Sequence, residues 1–488
     1  MIESPVPALR RRVLNPDSFP RPEGSYVLYW MTMARRTRWS FALDHALALC
    51  RHWGKPLLIL EALRCDHRWA SERFHAFVLA GMKENARRCE RASVRYYPYL
   101  EPTPGAGKGL LARLAQDACA VVGDDFPAFF LPRMHAAAAE QLEVPLEVVD
   151  GNGLYPLRAT DRVFTKAHSL RRHLQKELLP HLAERPEEDP FANLEDLPRA
   201  PSIPAEVSQR WPETDLAAVD LGALPIDHEV GSVEAFIPGG ESEAQKLLTR
   251  FLEARLVAYG EGRNHPDDDA ASGFSPYLHW GVLSAHQVFW ALAERDDWNP
   301  GKTAEKASGS REGWWGMSAP VESFLDELIT WRELGYATCA RTDDYDRYEG
   351  LPDWARKTLS DHEDDPRPEL YSLEQLAAAE TEDDIWNAAQ RQLVREGRMH
   401  NYLRMLWGKK VLAWSETPAQ AFERLIELNN RYALDGRNPN SYSGISWVFG
   451  RYDRAWGPER KIYGKVRYMT SDSTRKKLRL KDYLRRYR

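Results

Sequence analysis

Cysteine is scarce in this chain and badly spaced for chemistry. Five occur in 488 residues, at Cys50, Cys65, Cys89, Cys119 and Cys339. They form no CxxC pair and their number is odd, which argues against a disulfide framework and a cysteine-ligated metal cluster and points to a reducing compartment. No apolar run approaches ~18 residues, so no membrane span is expected. The opening stretch, MIESPVPALRRRVLNPDSFPRPEG, has no apolar h-region, so no signal peptide is expected. No internal repeat is visible. No GxGxxG follows the first apolar run, so a dinucleotide site of the usual Rossmann type is not indicated there. A general excess of positive charge is also missing. The formal net charge is -6, which excludes a protein that is basic throughout.

What is plentiful is tryptophan, with seventeen residues, many of them in the C-terminal half. Charge is unevenly placed. Residues 461–488 carry eleven Lys/Arg against two Asp, whereas 184–196 carries six Asp/Glu against one Arg. A basic tail on an acidic protein fits either nucleic-acid contact or a solvated terminal helix. At this length the chain has room for two or three domains.

Short apolar runs alternate with helical patterns over the first third. Strands are expected at 26–31, 56–63, 94–99, 120–122 and 144–149, and helices at 40–53, 74–88 and 109–118. This alternation predicts a parallel sheet covered on both faces. Residues 183–216 are rich in Pro and Glu and read as a long surface linker. From about residue 234 the periodicity is helical, at 242–259, 284–295, 321–334, 372–378, 382–396, 400–414 and 418–432. Residues 301–318 (GKTAEKASGSREGWWGMS) lack periodicity and read as a loop or insertion. The expected division is 1–182 as an α/β domain, 183–233 as linker and 234–488 as a helical domain.

Four constellations carry chemistry. In 259–278 (YGEGRNHPDDDAASGFSPYL), Ser272-Gly273-Phe274-Ser275 is a small hydroxyl-bearing turn whose N–H groups suit a phosphate, although an N-cap turn explains it better on its own. In 322–334 (ESFLDELITWREL), Glu327 and Trp331 are four apart on one helix face. A carboxyl beside an indole can bind a flat heterocycle; a surface neighbour pair is the plainer account. In 395–414 (REGRMHNYLRMLWGKKVLAW), Trp407 and Trp414 are two turns apart, roughly 10 Å along the axis. With Trp386 they can form an electron relay or simply a core. In 429–447, Asp435 is available to pair with Arg404, and a buried pair of that kind tends to mark a site.

In order and spacing these segments resemble the photolyase/cryptochrome flavoprotein family over nearly the whole chain. Within it they resemble most the class II cyclobutane pyrimidine dimer photolyases. The strings that carry the match are GRMHNYLRM (397–405), PDWARKTLSDH (352–362), WNAAQRQLVREGRMH (386–400), YALDGRNPNSY (432–442) and YGKVRYM (463–469).

The resemblance implies an α/β N-terminal domain joined by a linker to an all-helical domain that holds FAD. Tyr259, Ser272, Gly273, Phe274 and Ser275 would hold its phosphates. Asn401, Arg404, Asp435, Gly436 and Asn438 would line the flavin, with Arg404 and Asp435 as an ion pair and Asn429 facing its N5. An amide suits a reduced ring there better than a carboxylate would. The implied reaction is light-driven repair: reduced anionic FAD gives one electron to a flipped-out dimer, the ring splits, and the electron returns. Trp331 and Trp447 would wedge the dimer, Met405 would pack on it, and Glu327 would hydrogen-bond a thymine carbonyl. Arg263, Arg332 and Arg467 are implied contacts to phosphate or lesion. Trp386, Trp407 and Trp414 would relay electrons to oxidised FAD, with Trp407 in the middle. An antenna such as a deazaflavin occurs in some relatives, and no site for one can be carried over. Trp314-Trp315 have two readings, DNA contact or a hydrophobic cap, of which the second is preferred. No metal is implied. The expected partner is dimer-containing DNA, met by a monomer in the cytoplasm (at the nucleoid), or in the nucleus or an organelle of a eukaryote. The alternative is a cryptochrome-like blue-light receptor on the same scaffold, which the retained lesion contacts disfavour.

Overall fold

The computed structural model describes residues 4–199 and 201–488, and the chain divides into two compact units. One comprises residues up to Thr160 with Glu177–Leu248 and Phe274–Glu294. The other comprises Asp161–Lys176, Thr249–Gly273 and Arg295–Arg488. Neither is a single run of sequence.

The first unit is built on a six-stranded sheet. Its strands are β1 (Arg11–Val13), β2 (Tyr26–Met31), β3 (Leu57–Leu63), β4 (Arg95–Leu100), β5 (Ala118–Asp124) and β6 (Leu146–Val149), in the order β1-β6-β5-β2-β3-β4. All neighbours are parallel except β1, which runs antiparallel to β6. Parallel strands with both faces covered read as continuous apolar runs, and YVLYWM in β2 is buried at every position. β5 extends beyond the expected 120–122 at both ends, and the helix before it stops at Gln116. The unanticipated strand, β1, has the charged sequence RRV; its pairing with β6 supplies what its own pattern does not.

The winding reverses between β2 and β5, the position where open α/β sheets place functional loops. Here Asp124, at the end of β5, accepts backbone N–H bonds from Thr32 (2.7 Å), Met33 (2.8 Å) and Ala34 (3.0 Å), and the Tyr29 hydroxyl bonds its other oxygen at 2.9 Å. Leu28, Leu58, Leu60, Val121, Leu146 and Val148 share the core beneath the sheet with Val207 and Trp211, which come from the stretch read as linker. Each such side chain contributes roughly 1.5–3 kcal/mol by burial.

The second unit is helical. Asp384–Glu396 starts at Asp383, whose side chain accepts the Trp386 N–H at 2.9 Å, and stops at Gly397, where φ is 69°. Asn401–Ala413 and Pro418–Tyr432 follow closely the expected 400–414 and 418–432. The expected helix 321–334 is observed as Ala319–Leu325, a wider π-helical stretch Asp326–Trp331, and Arg332–Arg341. A second π-helical stretch is Phe251–Arg255. Such stretches are often found at functional sites. No helix among the described residues is long and apolar enough to cross a membrane.

Candidate functional site

Arg404, on helix Asn401–Ala413, places one guanidinium nitrogen 2.9 and 3.2 Å from the two carboxylate oxygens of Asp435. Another donates to Asn429 Oδ1 at 3.3 Å, and Asn429 Nδ2 donates to Asn430 Oδ1 at 3.2 Å. The expected pair therefore exists, and Asn429 belongs to it. Only one hydrogen of the Asn429 amide and one lone pair of its oxygen are used in these bonds, so the edge of a planar heterocycle can find both a donor and an acceptor. Arg404 is part-exposed while Asp435 and Asn429 are buried, which leaves a charge-balanced wall open on the arginine side.

The turn that carries Asp435 depends on close backbone approach. A Cβ on Gly436 would lie 2.8 Å from the Asn429 carbonyl oxygen. Arg437 follows in the left-handed region at φ 63° and is fully buried, with Nη1 2.5 Å from the Asn430 carbonyl. Asn438 then caps helix Pro439–Val448 through the Asn440 N–H at 2.9 Å. Asn430 and Arg437 were not singled out from sequence. The DG dipeptide announces a turn, but nothing local shows which carbonyl the next arginine will reach.

A second group adjoins this one through Tyr336, whose hydroxyl accepts from Asn438 Nδ2 (3.3 Å) and Arg332 Nη2 (3.2 Å). Arg332 is buried, its guanidinium 4.3 Å from the Tyr336 ring centre, so it braces the wall and is poorly placed to meet a phosphate. Glu327 is part-exposed and bonded to Arg263, whose guanidinium also lies 5.5 Å from the ring centre of buried Tyr259. Burial raises the Glu327 carboxyl above its ordinary range; Arg263 opposes this and Asp326 adds to it. Trp331 and Trp447 are both part-exposed, with ring centres 5.1 Å apart and planes tilted by 33°. The wedge expected from sequence is closed in this form. The two indoles make one part-exposed aromatic surface, of a kind that a flat ligand can stack on. Met405 is part-exposed on the helix that carries Arg404.

The third group is aromatic. Trp386 stacks on Trp407 at 6.5 Å with planes 9° apart, and meets Trp414 edge-on at 5.5 Å. Trp386 therefore lies between Trp407 and Trp414, the place expected from the sequence for Trp407. Two indoles on one helix face bracket an indole of the neighbouring helix, a relationship that spacing along a single helix cannot reveal. All three are buried. Trp407 Nε1 donates to Gln390 Oε1 at 2.9 Å. Beyond Trp414 the chain of rings continues to part-exposed Tyr371, 5.1 Å away, which was not anticipated.

Other candidates are dispersed. Asn401 is exposed at the start of its helix. Ser272 and Gly273 fall in the second unit, with Gly273 at φ 76°; Phe274 is buried and Ser275 exposed in the first, where Ser275-Pro276 opens a short helix. Arg467 is paired with Asp453 at 3.1 Å and lies over Trp456. Much of the basic tail is likewise neutralised: Arg475 by Asp384, Arg479 by Asp268 and Arg486 by Glu396. The tail is thus two short helices, Ser471–Lys477 and Lys481–Arg486, docked through buried Tyr483 and Tyr487 rather than one solvated helix. Trp314 and Trp315 are buried, and Trp298 Nε1 donates to the Trp315 carbonyl at 2.8 Å, so the pair caps a hydrophobic edge.

No family model matches the chain. It is 34% identical to the deoxyribodipyrimidine photo-lyase of Methanothermobacter thermautotrophicus over 488 residues, covering 99% of each chain. It is 31% identical to the enzyme of that name from Potorous tridactylus, covering 98% of this chain and 84% of the relative. The one from Arabidopsis thaliana is also 31% identical, with 94% and 88% covered. Among solved structures, a bacterial class III photolyase from Agrobacterium tumefaciens superposes with a TM-score of 0.69 at 19% identity, covering 95% of this chain and 86% of that one.

Proposed function

Because the chain belongs to the deoxyribodipyrimidine photolyase family, we propose that it repairs DNA in light, splitting cyclobutane pyrimidine dimers with bound reduced FAD as the electron donor. Within the family its motif strings favour class II. When bound, the flavin supplies one electron to the dimer on illumination and receives it back after the ring opens.

The residues present suit that cofactor. Arg404 would offer a cation to the reduced ring, and its guanidinium in turn compensates the buried Asp435 carboxylate. Asn429 offers an amide that reads either protonation state of a ring nitrogen. The observation that carries the repair reading is the part-exposed surface of Trp331 and Trp447, with Glu327 one helical turn from Trp331. Stacking on such a surface compensates for the few kcal/mol lost when a nucleotide leaves the duplex. Protonated Glu327 donates to a thymine carbonyl as negative charge develops on it.

The test is to irradiate chemically reduced protein with a dimer-containing oligonucleotide and follow recovery of the thymine absorbance. Recovery is expected with each turnover. A protein that holds reduced flavin and binds the oligonucleotide, yet gives no recovery, would overturn the reading.

A further inference from the structure

An ion pair beneath Glu327 belongs to none of the groups above. Arg171, on helix Ala167–Glu177, gives two bonds to Asp326: Nε to Oδ1 at 2.7 Å and Nη2 to Oδ2 at 3.0 Å. Both side chains are buried, at 9% and 5% exposure. Arg171 Nη1 donates to the Gly309 carbonyl at 3.1 Å. One turn further along, Gln175 accepts the Gly309 N–H at 2.7 Å and donates to the Ser310 carbonyl at 2.9 Å. Gly309 adopts φ +78°, and a Cβ there would lie 2.9 Å from His168 Nε2. Arg311 Nε lies 3.9 Å from Asp326 Oδ2. Loop 301–318 is thus fastened to helix Ala167–Glu177, and both converge on Asp326.

Asp326 opens the π-helical stretch that ends at Trp331, and Glu327 is its next residue. A buried ion pair contributes little net stability against an apolar pair of similar shape, so its worth here lies in what it fixes and what it screens. Left unneutralised, the Asp326 charge opposes ionisation of Glu327.

We propose that Arg171 is a positioning residue for Glu327: by clamping Asp326 it fixes the first turn of the lesion-facing stretch and screens Glu327 from the neighbouring carboxylate. This rests on the reading that Glu327 meets the dimer. Besides Asp326, the charged or titratable groups facing Glu327 are Arg263 and Tyr259, and Arg311 from the loop. Protonated Glu327 donates to a thymine carbonyl and ionised Glu327 cannot. Preference for damaged DNA therefore falls as pH rises through the titration of Glu327. Removing the Arg171 charge leaves Asp326 beside Glu327 without its two-bond partner and moves that titration to higher pH. Removing the Asp326 charge moves it to lower pH.

The experiment is dark binding, by fluorescence anisotropy, of a dimer-containing and an undamaged oligonucleotide of one sequence across a pH series. R171M is expected to shift the fall in preference alkaline and D326N to shift it acid, each by roughly one pH unit. Glu327→Gln is expected to abolish the fall. Shifts of opposite sign from two residues that do not touch DNA are not produced by loss of folding. If R171M gives no folded protein, R171Q, which removes the charge but keeps a side-chain donor for Asp326, carries the test with the same alkaline shift expected. A fall that vanishes in Glu327→Gln but stays put, or moves in one direction, in both other variants would overturn the proposal alone. A fall that persists in Glu327→Gln would overturn the reading of Glu327 and the proposal with it.

Discussion

Trp386 lies almost parallel to Trp407, with planes 9° apart and ring centres 6.5 Å apart, and its Nε1 donates to the Trp407 carbonyl at 3.0 Å. Contact with Trp414 on its other side makes Trp386 a ring link between the two indoles of helix Asn401–Ala413 and its cap. Trp386→Phe should therefore slow photoreduction of the oxidised cofactor by an order of magnitude or more. Repair by chemically reduced enzyme should be nearly unchanged. The lost indole hydrogen bond costs about 1 kcal/mol of stability. Steady-state photoreduction alongside repair of the pre-reduced protein checks this, and equal loss of both would contradict the relay.

Tyr371 extends the ring chain towards solvent. Its phenol accepts the Glu382 N–H at 3.2 Å, and its ring meets Trp414 edge-on. Tyr371→Phe keeps the ring and removes the ionisable hydroxyl. Transient absorption should then show no tyrosyl radical and a longer-lived tryptophan radical that decays only by recombination with the flavin, with slower net photoreduction. An unchanged radical lifetime would remove Tyr371 from the relay.

These examples show which features were legible in the chain. Buried parallel strands announce themselves because both faces are apolar, and β2 needed no neighbour to be recognised. β1 did not, because its pairing is a property of β6. The Arg404–Asp435 pair could be offered from sequence because the family strings placed both residues. The Arg171–Asp326 pair could not, since its members are 155 apart along the chain and lie in no shared motif. The ring order failed for a similar reason: periodicity fixes which side chains share a face, not what the facing helix inserts between them. The π-helical stretch Asp326–Trp331 has no apolar signature of its own that separates it from an α-helix.

His400 predicts a pH dependence of folding. Burial, with Arg398 adding, lowers its imidazole from 6.5 to about 4, while Asp269 opposes the shift. The unfolded chain then binds more protons than the folded one between those two values. Stability from this site is complete above pH 6.5 and is lost as pH falls towards 4. A shift of this size is worth at most about 3 kcal/mol. Denaturant unfolding of the wild type should show this acid loss, and His400→Asn should flatten it. An equal slope in both proteins would mean that other groups govern the acid limb.

Gly408, on helix Asn401–Ala413, faces Val448 at the end of helix Pro439–Val448. A Cβ there would lie 2.5 Å from Val448 Cγ2 and 3.1 Å from Cγ1. Alanine gains about 1 kcal/mol over glycine in helix propensity. Overpacking of a close contact costs about 1–3 kcal/mol, and a β-branched valine has little rotamer freedom with which to yield. The steric effect should win, so G408A is expected to be less stable. The strain should reach Trp447, which adjoins Val448, and through it the stacked pair with Trp331. G408A should therefore bind dimer-containing DNA less tightly relative to undamaged DNA while keeping its flavin. Adding V448A removes both offending methyl groups and should restore that preference, at the separate cost of a small cavity. If the double variant binds no better than G408A, the helix contact does not set the position of the aromatic surface.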